Sequence, residues 1–221
     1  MSQAVAPHPN RARIGRPIGK LIFSTLYRGA ALHAERVPPS GPVILVANHA
    51  AFLDGPLVFG LAPRPVSFLV KQEAFSGFLG WTIRNVGQIP IDRSVGDRAA
   101  LATATAVLEH GGAVGIFPEG SRGSGEVEQI NSGAAWIALR TEAQIVPVAV
   151  MGTRVPGADK DDWPSLRSRL VVDFGEPEGL AVDAGAPGRH RLRLASEQLR
   201  DGLASHVRRS RVENGPSTDV H

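Results

Sequence analysis

The chain has 221 residues, 43% of them hydrophobic and 20% charged, with no cysteine, which allows one sizeable core and excludes disulfides and thiolate metal sites. Its net charge of +3 is unevenly spread: residues 1–36 hold six basic side chains against Glu35, residues 189–211 hold seven arginines against Glu197 and Asp201, and the stretch between is acidic. Basic ends suit nucleic acid, anionic lipid or plain solvated surface, and no uncharged apolar run reaches the roughly 18–20 residues of a spanning helix.

Residues 1–13 read as a disordered lead without the apolar core of a signal peptide. Residues 14–36 are predicted as an interrupted amphipathic helix with Leu21, Ile22, Leu26 and Ala30 on one face and Pro17 in its first turn. P-V-I-L-V-A reads as a buried strand ending just before His49, and Asp54-Gly55-Pro56 as a turn or helix start. P-V-S-F-L-V (65–70) is the next strand. Ser94 to Asp97 has capping-box spacing and opens a helix that Gly111-Gly112 stops. A strand over 113–117 then runs into P-E-G-S-R-G, and Ser132 caps a following helix.

I-V-P-V-A-V (145–150) is another buried strand, in which Pro147 predicts an edge position or a bulge. Residues 169–175 form a last strand. A final helix over about 188–210 carries Leu192, Leu199, Leu203 and Val207 on one stripe, and 211–221 read as a flexible tail. Strands alternating with helices predict one α/β domain over 37–210, a mixed and largely parallel sheet flanked by helices.

Chemistry concentrates in a few stretches. In V-A-N-H-A-A-F-L-D-G-P, His49 and Asp54 stand in a segment otherwise suited to burial, where each is costly unless it satisfies the other. A strand ending at His49 puts it at the carboxyl edge of the sheet, and a tight turn lets Asp54 fold back onto the imidazole. Asp54 would then fix the tautomer, leaving the other ring nitrogen to activate a substrate hydroxyl. So short a pattern arises often by chance, and alone it reads first as a histidine satisfied by an Asp at a helix start.

Arg93 closes V-G-Q-I-P-I-D-R and is suited to a phosphate or carboxylate, or to plain surface. In I-F-P-E-G-S-R-G, Gly120 allows close backbone approach, Ser121 and Arg122 offer donors to an anion, and Glu119 can bind a hydroxyl. A glycine-rich loop with solvated charges describes that stretch equally well. Lys71, one of three lysines, ends an apolar strand as a candidate cation or a snorkelling surface residue. Metal-ligand spacing, a nucleotide-binding P-loop and a G-x-S-x-G elbow are all absent from the sequence.

In order, N-H-A-A-F-L-D at 48–54, F-L-V-K at 68–71, G-Q-I-P-I-D-R at 87–93, F-P-E-G-S-R at 117–122 and I-V-P-V-A-V at 145–150 resemble the glycerolipid acyltransferases. Within them the lysophosphatidate acyltransferase type is the nearest likeness, and the resemblance runs from about Pro38 to Gly175. It implies that His49 is the general base and Asp54 its orienting partner. The acceptor oxygen then attacks an acyl thioester directly. Lys71, Arg93 and Arg122 match positions that hold the acceptor's phosphate, and Glu119 and Gly120 an acceptor-binding pair. Ser121 stands where Thr is common, and Pro147 matches a block linked to acyl-donor packing.

On this reading the partners are a lysophospholipid acceptor, an acyl thioester donor (acyl-CoA or acyl-carrier protein) and an anionic membrane surface. No cofactor and no nucleic acid are implied. Residues 14–36 become a membrane-surface helix, and the chain is expected as a peripheral protein on the cytoplasmic face. Glycerol phosphate, another lysolipid or an ornithine lipid remain open as acceptors, as does a lipid-binding protein without catalysis.

Overall fold

Strand β2 (Val43–Ala47) is buried along its whole length, as a run of Val, Ile, Leu and Ala is when both faces of a sheet are covered. The computed structural model describes residues 9–92, 97–120, 125–127, 130–155, 157, 162–183 and 185–215. Among them six more strands join β2: β1 (Arg28–Leu32), β3 (Val66–Lys71), β4 (Ile89–Ile91), β5 (Ala113–Ile116), β6 (Gln144–Met151) and β7 (Arg169–Phe174). Their order across the sheet is β1-β7-β6-β2-β5-β3-β4. All pairings are parallel except β6 with β7. The expected α/β domain with a largely parallel sheet is the fold observed.

Helices α1 (Pro9–Thr25), α2 (Asp54–Leu61), α3 (Gly77–Asn85), α4 (Arg98–Glu109), α5 (Gly133–Thr141) and α6 (Gly188–Asn214) complete the chain. Alternation along β2 sorts them into layers. Val43, Leu45 and Ala47 pack with Phe23 of α1 and with Leu57 and Val58 of α2. Ile44 and Val46 belong to the opposite core, with Leu108 of α4, Ile137 of α5 and Leu203 of α6. Fully burying one such aliphatic side chain stabilises the fold by about 1.5–3 kcal/mol. His49 therefore leaves a strand clamped on both faces.

Several elements differ from their expected bounds. Helix begins at Pro9, where a disordered lead to residue 13 was expected, and it ends at Thr25, well short of 36. Residues 28–32 form β1, whose register Arg28↔Arg169 to Leu32↔Asp173 shows the ladder with β7 overriding the local helix preference of Ala-Ala-Leu. The anchors of α1 are Phe23 at 4% exposure and Tyr27, just beyond the helix, at 5%, while Leu21, Ile22 and Leu26 are 63%, 43% and 48% exposed.

Pro17 lies inside α1 instead of in its first turn. An interior proline costs a helix about 3 kcal/mol or more, and packing against α2 offsets it. A Cβ on Gly60 of α2 would sit 2.8 Å from the carbonyl carbon of Gly19, so the two backbones touch where they cross.

Helix α4 is capped by Asp97, whose Oδ1 accepts from the Ala100 N–H at 2.9 Å. Ser94, expected to open the capping box, lies outside the described residues. Ser132 does stand at the N-cap of α5, without a side-chain capping bond.

Strand β6 is not at an edge but between β2 and β7. The proline survives there because the β7 side of the ladder is irregular. Gly175 N–H donates to the Pro147 carbonyl and Ile145 bridges Glu178, so the partner chain has one extra residue opposite this stretch. A Cβ on Gly175 would meet the proline ring at 2.7 Å. Helix α6 runs on to Asn214, into the span expected as a flexible tail. Its end is tied down by Arg211, which pairs with Glu126 and donates to the Gly125 carbonyl at 3.1 Å.

Candidate active site

The carboxyl ends of β2, β5 and β6 meet at one edge of the sheet, where an open α/β fold places its sites. Asn48 fixes their relation. Its side-chain amide donates to the Val150 carbonyl at 3.1 Å and accepts from the Val150 N–H at 2.7 Å, so a side chain continues the β2–β6 ladder beyond Ala47.

The next residue, His49, presents Nδ1 to Asp54 Oδ2 at 2.9 Å. Asp54 opens α2 and has no exposed surface. Its Oδ2 also accepts from the N–H groups of Ala50 and Ala51 at 2.7 and 2.8 Å. Oδ1 accepts from the Thr153 hydroxyl at 2.5 Å. A carboxylate held by that many donors is an acceptor, so His49 Nδ1 carries the proton and Nε2 is left basic.

The His49 side chain is 13% exposed. Its ring stacks on Phe117 at 4.2 Å between centroids, and Phe117 stacks in turn on Phe68 at 5.5 Å. That aromatic floor keeps water from one side of the imidazole. Glu119, delivered by the turn after β5, accepts from the His49 backbone N–H at 2.9 Å. Burial raises the Glu119 pKa and Asp54 adds to the rise; the hydrogen bond from the His49 N–H and the positive charge of Arg211 oppose it. Gly120 has φ +72°, and a Cβ there would sit 2.2 Å from the Asn131 side-chain amide nitrogen, so the turn favours glycine.

His49, Asp54, Glu119 and Gly120 are thus brought together. Lys71 ends β3 at the same edge and is exposed, with β5 between it and β2. Arg93, Ser121 and Arg122 lie outside the described residues. Pro147 is on the other face of the sheet, lining a small apolar cleft with Val46, Leu180 and Leu199 beneath α6. Sequence reasoning missed Asn48 and Thr153 as supports of the dyad. Thr153 lies 99 residues from Asp54 in the chain, and only strand register joins them.

Among the described residues no three His, Asp or Glu side chains converge as metal ligands. No hydroxyl of those residues hydrogen-bonds the His49 ring, which pairs with Asp54. The arrangement can take a proton from a group brought to Nε2 and return it.

The model of the family described as Acyltransferase matches residues 31–151, from β1 to the end of β6. This chain belongs to the Acyltransferase family. The 1-acyl-sn-glycerol-3-phosphate acyltransferase of Bacillus subtilis (strain 168) is 28% identical over 182 residues, which is 81% of this chain and 88% of that protein. The lyso-ornithine lipid O-acyltransferase of Pseudomonas aeruginosa is 35% identical over 143 residues, 60% of this chain and 55% of that protein.

The crystal structure of the 1-acyl-sn-glycerophosphate acyltransferase of Thermotoga maritima superposes with a TM-score of 0.67 at 23% identity, covering 94% of this chain and 81% of that one. That likeness is one of fold. The acyltransferase match spans β2, the His49–Asp54 turn and the Glu119 turn together.

Proposed function

We propose that the chain moves a fatty acyl group from an acyl thioester to the free hydroxyl of a lysophospholipid, with lysophosphatidate as the acceptor and phosphatidate as the product. The observation that carries this reading is the partly exposed His49 ring held through Nδ1 by buried Asp54, with no hydroxyl of the described residues bonded to it. Such a base acts on a substrate hydroxyl. The acceptor O–H gives its proton to Nε2 while its oxygen bonds the thioester carbonyl carbon. As the tetrahedral species collapses, the C–S bond breaks and the leaving thiolate takes the proton back from Nε2. No acyl-enzyme forms and no cofactor enters; the thioester is a co-substrate.

Phosphate on the acceptor is supported by Lys71 at the site edge, with Arg93 and Arg122 as further cations from the sequence. Contact with a membrane is supported by α1, where Ile18, Leu21 and Ile22 are 43–63% exposed beside exposed Lys20, and by exposed Leu26 just after it. No helix among the described residues is long and apolar enough to cross a membrane. A peripheral position on the cytoplasmic face fits that surface.

The test is acyl transfer from a long-chain acyl-CoA to lysophosphatidate in detergent micelles. Wild type is expected to yield phosphatidate, and folded His49→Ala to lose at least about 10³-fold in kcat. Equal turnover by the variant would overturn the mechanism. Lyso-ornithine lipid, offered in parallel because of the Pseudomonas relative, should be the poorer acceptor; the reverse order would reassign the acceptor and leave the chemistry in place.

A further inference from the structure

Large aromatic side chains normally sit in a core or at an interface, yet four stand out at the catalytic edge of the sheet. Phe52 lies in the turn between His49 and Asp54 and pairs with Trp163, their ring centroids 6.1 Å apart. Phe78 and Trp81 of α3 stack as a second pair at 6.0 Å. All four side chains are 40–83% exposed.

Topology sets the two pairs on either side of His49. Phe78 and Trp81 follow Lys71, the last residue of β3, through a single turn over Gln72–Phe75. A Cβ on Gly80 would run into the Phe75 backbone, so α3 is pressed onto that turn and stays at the edge where β3 ends. Trp163 stands on the β7 side. Because β7 runs antiparallel to β6, its first residue, Arg169, comes to the edge where β6 ends. A Cβ on Gly152, just past β6, would run into the Arg169 carbonyl oxygen. The Arg167 N–H donates to the Leu26 carbonyl at 2.7 Å, and the Arg28 N–H to the Ser168 carbonyl at 2.9 Å. Exposed Leu26 and Leu166 are thereby brought beside the strand that follows Trp163.

Cations frame the same edge. Arg28 and Arg169 are opposite one another in the β1–β7 register. Both are exposed, as are Arg167 next to them and Lys71 on the β3 side. Like charges in register repel and favour an anion laid over them. Glu73 and Asp162 are also exposed and offset part of this charge, leaving the positive side chains in excess. Aromatic rings beside cations match the headgroup level of an anionic bilayer, where a ring meets polar and apolar surroundings at once. The pairs are set apart on two flanks instead of joined in one groove, which suits a flat surface better than a peptide.

We propose that the carboxyl edge of the sheet docks on an anionic phospholipid bilayer, with Phe52–Trp163 and Phe78–Trp81 entering at headgroup level on either side of His49. A lysolipid then reaches His49 by rising out of the lipid layer, without its acyl chain crossing water. The proposal rests on the lysophospholipid reading of the site and adds the face that meets the membrane, beyond the exposed stripe of α1.

Fluorescence of the full chain tests it, with vesicles of phosphatidylglycerol and phosphatidylcholine whose acyl chains carry bromine as a quencher. The chain has three tryptophans, so phenylalanine at two of them leaves the third as reporter. Trp163 alone and Trp81 alone should each lose emission on binding. Trp136 alone, on α5 over the opposite core, should keep it. Vesicle binding with neither Trp163 nor Trp81 quenched would assign the contact to α1 and overturn the proposal, and so would equal quenching of all three.

Sedimentation with the same vesicles gives a second reading. Trp163→Ala with Phe78→Ala, shown by melting to be folded, should weaken binding roughly 100-fold, about tenfold for each ring withdrawn from lipid. Vesicles of phosphatidylcholine alone should bind wild type at least about tenfold more weakly than anionic ones. Unchanged affinity in the double variant, or equal binding to neutral and anionic vesicles, sinks the proposal. Docking by this edge in an enzyme inactive on lysophosphatidate would support it and refute the acceptor alone. Phosphatidate formed in micelles by a chain that binds no vesicle would refute the docking alone.

Discussion

Asp54 accepts four hydrogen bonds with no surface exposed: from the Ala50 and Ala51 N–H groups, the His49 ring and the Thr153 hydroxyl. A buried carboxylate is tolerable only under such saturation. The backbone donors come free with the turn that opens α2, but the fourth comes from the far side of the site, and it keeps Oδ1 from competing for the imidazole. Thr153→Val deletes that donor at nearly constant volume. Losing a hydrogen bond to a buried charge costs about 1.5–3 kcal/mol, so the melting temperature should fall, and kcat with it by roughly tenfold as the ring loses its fixed orientation. Thr153→Ser should recover most of both. Loss of stability with kcat intact in the Val variant would show that Thr153 braces the fold without orienting the dyad.

At the scale of single elements, α1 turns an apolar face outward. Ile18, Leu21, Ile22 and Leu26 stay out of the core, which takes Phe23 and Tyr27 instead. The apolar stripe was legible in the sequence, but its orientation was not. Hydrophobic period shows that a face exists, and only the crossing with α2 at Gly19 and Gly60 decides which face turns inward. Leu21→Glu with Ile22→Glu leaves the core untouched, so melting should be unchanged. Burying two aliphatic side chains in lipid gains about 3 kcal/mol or more, so sedimentation with anionic vesicles should weaken at least about 100-fold. Activity on a short-chain soluble lysolipid should persist. Unchanged vesicle binding would show that α1 is not the lipid contact.

Over the whole molecule, the sequence made the alternation of β2, β3, β5, β6 and β7 with helices visible, because buried strands such as V-I-L-V-A leave long apolar runs bounded by Gly, Pro and Asp, while the three-residue β4 is too short to show. It hid β1, since Arg-Gly-Ala-Ala-Leu has no strand signature until β7 supplies a partner. It also hid a polar cluster that joins three distant segments. Asp173 on β7, 2% exposed, accepts from Ser210 of α6 at 2.6 Å and lies 2.7 Å from Nδ1 of His33, just after β1.

His206 of α6 sits over the same strand. Its Nε2 donates to the Asp173 carbonyl at 2.9 Å, while its buried Nδ1 has no hydrogen-bond partner. Burial lowers its pKa; the Asp173 carbonyl and carboxylate oppose this, and Arg209 and Arg36 reinforce it. The unfolded chain therefore binds a proton near the ordinary imidazole value of about 6.5 while the folded one resists. Stability is held above that value and lost as pH falls below it, by at most about 1.4 kcal/mol per pH unit from this one group. His206→Gln keeps a donor for the Asp173 carbonyl and removes the titration. Melting curves from pH 7 to pH 5 should then converge: the variant less stable or equal at pH 7, and losing less on acidification. Parallel curves would mean that His206 is not what couples α6 to the sheet in acid.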